Sequence, residues 1–138
     1  MEPSANTPPQ IGEHLPALDI PGFSAAEIAC YAAAAGDLNK IHVDAAAARS
    51  FGLADCVVPG MLLAGQCEIA IFRWRQDASI AAISARFVRP VVAGERLQLQ
   101  GQIVARSDMA LADFILRFIA RNEAGKIVCL VDAHVRVG

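Results

Sequence analysis

The stretch VVPGMLLAGQCEIAIFRWRQ, residues 57–76, decides the fold. Pro59 suits the first turn of a helix, where a missing N–H goes unused, and the apolar spacing predicts a helix over about Gly60 to Gln76. Met61, Leu62, Leu63, Ala64, Cys67, Ile69, Ala70, Ile71, Phe72 and Trp74 leave only a narrow polar stripe at Gln66, Glu68 and Arg73. A helix apolar nearly all round is wrapped by the rest of its protein, so this one is expected at the centre. From Ile80 the period changes to two. Ile83, Ala85 and Phe87 alternate with Ser84, Arg86 and Val88, and Leu97, Leu99 and Ile103 with Gln98, Gln100 and Gln102. Ala112, Phe114, Leu116 and Phe118 line one face of the next strand, and Asn122-Glu123-Ala124-Gly125 reads as a hairpin turn. Ile127, Cys129, Val131, Ala133, Val135 and Val137 form the last inward face. Consecutive hairpin strands after one buried helix predict an α+β fold, an antiparallel sheet wrapped around a long central helix.

Upstream of that helix the punctuation is local. Residues 1–10, MEPSANTPPQ, read as a flexible lead, and residues 11–138 as one domain. Ile11 to Phe23, interrupted by Pro16 and Pro21, reads as an irregular extended segment or edge strand. Ser24-Ala25-Ala26-Glu27 is a capping box for an Ala-rich helix that Gly36 stops. Asp44 caps a second, short helix, Ala45 to Ser50, stopped by Gly52.

The bulk numbers narrow the function classes. A chain of 138 residues holds one core, and a net charge of −2 without basic or aromatic clusters argues against a nucleic-acid surface. No apolar run reaches the ~20 residues of a membrane helix, and the N-terminus lacks the pattern of a signal peptide. Cys30, Cys56, Cys67 and Cys129 have no zinc-ligand spacing and read as buried free thiols of a reducing, cytoplasmic protein.

Gly36-Asp37-Leu38-Asn39-Lys40-Ile41-His42 holds the candidate chemistry. On a helix, five positions would set Asp37 and His42 about 140° apart. In a loop bent by Gly36 and Asn39 they can share one space, where a carboxylate and an imidazole hold a water or pass protons. Asp and Asn after a helix are also ordinary turn residues, and that reading stays open here. Gly60 is either a tight helix entry or an N–H donor for an oxyanion. Glu68, deep in the apolar helix, is expected to need a partner such as an arginine. Arg73, Arg75, Arg86 and Arg89 are candidates for an entrance that meets phosphate, or are solvated.

Ala35-Gly36-Asp37-Leu38-Asn39-Lys40-Ile41-His42-Val43-Asp44 resembles the hydratase motif of the MaoC-like, (R)-specific enoyl-CoA hydratase family, roughly Gly-Asp-x-Asn-Pro-[Ile/Leu]-His. The similarity continues through Phe51-Gly52, Val58-Pro59-Gly60-Met61-Leu62 and Phe87-Val88-Arg89-Pro90-Val91, and begins at Ile11-Gly12-Glu13. The resemblance implies a hotdog fold, a homodimer joined at sheet edges, and an acyl-CoA or acyl-carrier-protein thioester as substrate. It implies reversible hydration of trans-2-enoyl thioesters to (R)-3-hydroxyacyl thioesters, with Asp37 and His42 catalytic, the Gly60 N–H in the oxyanion hole, Asn39 bracing the loop, and no metal or cofactor. A hotdog thioesterase and a non-catalytic acyl-binding partner subunit are the alternatives. Lys40 stands where the family usually has proline, and Pro59 where it often has histidine. The related acyl-carrier-protein dehydratases carry a glutamate five residues after the glycine, where this chain has Gly65.

Overall fold

Each local signal closes where its chemistry requires. In the computed structural model, which describes residues 7–138, the Ser24 hydroxyl accepts from the Glu27 N–H and the Glu27 carboxylate from the Ser24 N–H. That reciprocal cap starts α1 (Ala25–Ala35), and Gly36 ends it in the left-handed region at φ 69°. A 3₁₀ turn (Lys40–His42) follows, then α2 (Ala45–Ser50), whose Ala46 and Ala47 N–H groups donate to Asp44 Oδ1. The central helix comes next, and then the long strands β2 (Ala78–Phe87), β3 (Leu97–Arg106), β4 (Phe114–Asn122) and β5 (Ile127–Val137). With the short β1 (Leu18–Ile20) they form one antiparallel five-stranded sheet in the order β1-β3-β4-β5-β2. This is the α+β arrangement expected.

The central helix differs from expectation in two respects. It is two segments, α3 (Gly60–Ala64) and α4 (Gln66–Trp74), meeting at Gly65. The Gly65 N–H still reaches Met61 O at 3.0 Å, but the Glu68 N–H turns to Gly65 O at 3.1 Å, a three-residue step that tightens the turn. The Gln66 side-chain amide donates to Leu62 O at 3.3 Å beside the break. Nor is the helix wrapped all round within one chain. Leu63, Ala64, Cys67, Ala70, Ile71 and Trp74 face the sheet and are buried, while Met61, Ile69 and Phe72 stay 56%, 42% and 41% exposed. Glu68 lies on that open side, so it pays no desolvation and needs no arginine. The buried ion is instead Arg75, whose guanidinium donates to Thr7 O at 2.6 Å and stacks 5.2 Å from the Trp74 ring centre. The expected flexible lead, 1–10, falls largely on residues 1–6, outside the described residues.

The sheet's inner face follows the alternating set read from the sequence, with two exceptions: Phe87 is about half exposed, and Ala112 precedes β4. Ile103, Leu116, Phe118, Cys129, Val131, Ala133 and Val135 are buried against the helix. Val128 joins them out of phase, because the register of β4 on β5 shifts between Ala120 and Arg121. Among the cysteines, Cys30 is exposed on α1, which corrects the expectation of four buried thiols. Burial, and then the neighbouring Cys129, pushes the Cys67 thiol up to about 12, and burial pushes Cys129 up to about 11. Neither forms appreciable thiolate near neutrality. A thiol reagent at about pH 8 is therefore expected to label Cys30 on the native protein, and Cys67 and Cys129 only after unfolding. Peptide mapping by mass spectrometry checks this, and early label on Cys67 would contradict it.

Candidate active site

Asp37 and His42 converge because the chain between them is not a regular helix. Asp37 Oδ1 accepts from the Asn39 N–H at 3.0 Å, and Asn39 Oδ1 accepts from the Ile41 N–H at 3.2 Å. Two successive Asx turns thus wind the segment into the 3₁₀ turn that carries His42. The turn role and the site geometry are compatible, since Asp37 uses one oxygen for each. Its Oδ2 lies 3.1 Å from His42 Nε2.

The other ring nitrogen sets the imidazole's state. His42 Nδ1 is 2.7 Å from Val57 O. A carbonyl only accepts, so Nδ1 carries a hydrogen, which leaves Nε2 to face Asp37. An imidazole nitrogen and a carboxylate oxygen at that separation share a proton, or both bind a third group such as water. His42 is only 9% exposed, so its orientation is fixed by packing as well as by the bond.

The same loop that aims His42 also delivers Gly60. The Val57 N–H donates to Ile41 O at 2.9 Å, and the Val58 N–H to Val91 O at 2.7 Å. Three residues after the carbonyl that holds His42, the chain enters α3, whose Leu62 and Leu63 N–H groups fold back to Pro59 O. The Gly60 and Met61 N–H groups take no bond among the described residues. Asp37, His42 and Gly60 line one cleft of about 560 Å³, together with Tyr31, Phe87 and Arg89.

Gly60 has a steric reason to be glycine. A Cβ there would sit 2.6 Å from Phe87 Cζ. The Phe87 ring is about half exposed, so it can swing away. Gly60→Ala is expected to fold while displacing the ring, and Phe87→Ala should remove the penalty. A double-mutant cycle of urea unfolding should give a coupling of about 1 kcal/mol. Additive effects would mean that the ring does not rest on Gly60.

Other residues sort cleanly. Of the four arginines considered for an entrance, Arg89 alone lines this cleft; it also donates to Ile127 O at 2.9 Å. Lys40 is exposed, outside the cleft lining, at the first position of the 3₁₀ turn. A first-position N–H is unbonded in any such turn, so lysine replaces proline there without losing or gaining a backbone bond. Tyr31 and Phe87 were not singled out as site residues from the sequence. Tyr31 was legible in principle, because it lies four residues before Ala35 and both line the cleft.

Comparison with known proteins bears on the family and the fold. The MaoC like domain matches residues 6–115. A mitochondrial 3-hydroxyacyl-[acyl-carrier-protein] dehydratase of Solanum lycopersicum is 30% identical over 83 residues, 60% of this chain and 50% of the dehydratase. The chain therefore spans about half the length of that relative. An (R)-hydratase from A. caviae involved in PHA biosynthesis superposes with a TM-score of 0.82 at 24% identity, covering 94% of this chain and 97% of that one. A chain of the ChsH1-ChsH2 complex from Mycobacterium tuberculosis superposes with a TM-score of 0.81 at 23% identity, over 94% and 98% of the two chains. These two likenesses establish the fold, the hotdog. With the family's domain matched over most of this chain, from ahead of the first strand into β4, the chain belongs to the MaoC-like dehydratase family.

Proposed function

We propose that the chain is a hydro-lyase that adds water to trans-2-enoyl thioesters of coenzyme A or acyl carrier protein, giving (R)-3-hydroxyacyl thioesters, and runs the reverse dehydration. The observation that carries this reading is the Asp37 Oδ2–His42 Nε2 contact of 3.1 Å on the wall of an apolar cleft that also contains Gly60. In hydration a water held by the two side chains gives a proton to the pair as its oxygen bonds to C3. The C2–C3 π electrons move towards the thioester, and the oxygen gains charge opposite the Gly60 N–H. The pair then delivers a proton to C2 from the same side, so atoms and charge balance over the cycle. Asn39 contributes by holding the turn, through the bonds that its side chain and N–H make with Ile41 and Asp37. No step calls for a metal or redox cofactor.

The working unit in this reading is the domain 11–138 as a homodimer in a reducing cytoplasm. Support comes from β2, a ten-residue strand at the edge of the sheet with its outer hydrogen-bonding side unpaired in one chain. Met61, Ile69 and Phe72 are the exposed apolar side chains of the central helix that a second copy would cover. Among the described residues no helix is long and apolar enough to cross a membrane.

The deciding assay offers crotonyl-CoA and a longer enoyl-CoA, follows loss of enoyl absorbance, and resolves the stereochemistry of the product. Turnover to the (R)-alcohol is expected. Free thiol without hydroxyacyl product would favour a thioesterase, and silence at every chain length would overturn the hydratase reading.

A further inference from the structure

The loop that holds His42 is itself held from behind. Val57 and Val92 face each other in an isolated antiparallel bridge. Its two hydrogen bonds run from the Ala93 N–H to Cys56 O at 2.9 Å and from the Val58 N–H to Val91 O at 2.7 Å. Both are made by flanking residues, so Val57 and Val92 form a non-hydrogen-bonded pair whose own N–H and C=O groups point away from each other. On the Val57 side these groups meet the turn that carries His42. The N–H donates to Ile41 O at 2.9 Å, and the carbonyl accepts from His42 Nδ1 at 2.7 Å. On the Val92 side they meet Glu95. The Val92 N–H donates to Glu95 Oε2 at 3.2 Å, and the Glu95 N–H to Val92 O at 3.2 Å. The order across this part of the molecule is therefore His42, Val57, Val92, Glu95.

We infer that Glu95 is a positioning residue for His42 and Gly60. Its carboxylate ties down the outer side of the bridge. Through the bridge it fixes the Val57 carbonyl that sets the imidazole, and Val58, two residues ahead of Gly60. Glu95 does not line the cleft, so it acts only through Val92 and Val57. Without its acceptor the half-buried Val92 N–H has to find water, and the bridge loosens from that side. The turn that presents Glu95 has a second anchor, the Gly94 N–H on Phe23 O at 2.9 Å, so losing the carboxylate shifts the bridge without unfolding it. A misplacement of about 1 Å in a positioned group is worth up to about 10²-fold in rate.

Proton–nitrogen NMR of the purified full chain tests this directly, with the His42 ring assigned by the signals that vanish in His42→Ala. The unaltered protein is expected to show His42 with its hydrogen on Nδ1. In Glu95→Ala the His42 ring signals should move, and the Val57 and Val58 amides should exchange about tenfold faster, the effect of losing one hydrogen bond. The His134 ring is the internal reference: it lies on the outer face of β5, between buried Ala133 and Val135, bonded to Ser107 Oγ at 2.7 Å, and should stay in place. Glu95→Gln keeps an acceptor at the same reach and should restore the unaltered spectrum. Glu95→Asp draws the acceptor back by one methylene, should resemble Glu95→Ala, and serves if the alanine variant does not fold. Ring and amide signals unmoved in the folded variants overturn the inference, as does a Glu95→Gln spectrum displaced as far as that of Glu95→Ala.

Kinetics with trans-2-enoyl-CoA add an arm that rests on the hydratase reading. Glu95→Ala should lower kcat about ten- to hundredfold with KM changed by less than about twofold, because Glu95 touches no substrate, and Glu95→Gln should recover most of the loss. Full activity in Glu95→Ala beside an active unaltered protein sinks the inference. If the unaltered protein hydrates nothing while the NMR changes are seen, Glu95 still positions His42 and the hydratase reading alone fails.

Discussion

Asp37→Asn is expected to lower kcat/KM for enoyl-thioester hydration by about 10²–10⁴ with little change in Tm, the range for removing a positioned acid–base group. The substitution is chosen for its atoms. Asparagine keeps an oxygen for the Asn39 N–H, so the turn survives, while the carboxylate facing His42 Nε2 is gone. His42→Ala should cost a similar factor in rate and also stability, since it leaves the partly buried Val57 carbonyl without its donor, a loss of about 1–3 kcal/mol. The double variant should be no slower than about the worse single one, because a pair that handles one proton acts as a unit. Steady-state kinetics beside thermal melts would check all three. An Asp37→Asn enzyme with most of its activity intact would remove the carboxylate from the mechanism.

Phe118→Ala is expected to be the most destabilising single truncation, by about 3–5 kcal/mol, out of a total that for a domain of this kind is about 5–15 kcal/mol. Phe118 is fully buried on β4, and its ring covers Gly101, its partner on β3. A Cβ at Gly101 would lie 2.5 Å from the Phe118 ring. This repeats the glycine-under-aromatic geometry of Gly60 and Phe87, but the outcomes should differ. Phe87 is near the surface and can rotate out, whereas Phe118 has nowhere to go without opening a cavity. Gly101→Ala should therefore destabilise more than Gly60→Ala, and part of that cost should vanish in a Phe118→Leu background. Urea midpoints with unchanged m-values would measure it, and a Phe118→Ala loss below about 1 kcal/mol would mean that the core relaxes around the missing ring.

Elements written in short-range chemistry were legible. The Ser24–Glu27 box, the Gly36 stop, the Asp44 cap and the turn ending at Gly125 each involve residues within a few positions of one another, and each lies where the sequence placed it. The alternating strands were legible because one face is buried and the period is two. What failed was the central helix as a single rod wrapped on every side. Apolar content all round measures how much surface seeks cover, but not whether the cover comes from the same chain. Met61, Ile69 and Phe72 show the difference. The Gly65 break was also visible only as a glycine, since a helical glycine either continues a helix or tightens it, according to the hydrogen bonds its neighbours find.

The amino-acid sequence by itself determined the order and type of the elements, the antiparallel sheet against a helix, and the small set of residues able to do acid–base work. Those follow from periodicity and from bonds between near neighbours. Only the tertiary structure decided which of those residues meet. Asp37 and His42 sit in a loop, where no period dictates side-chain direction, and they converge because the Val57 carbonyl, brought from fifteen residues away, fixes the imidazole. The lining of the cleft was likewise out of reach, since Val58, Leu63 and Val91 come to it from separate segments. Whether such side chains leave a tunnel or close it depends on packing at the scale of a single methyl group, which no spacing along the chain encodes.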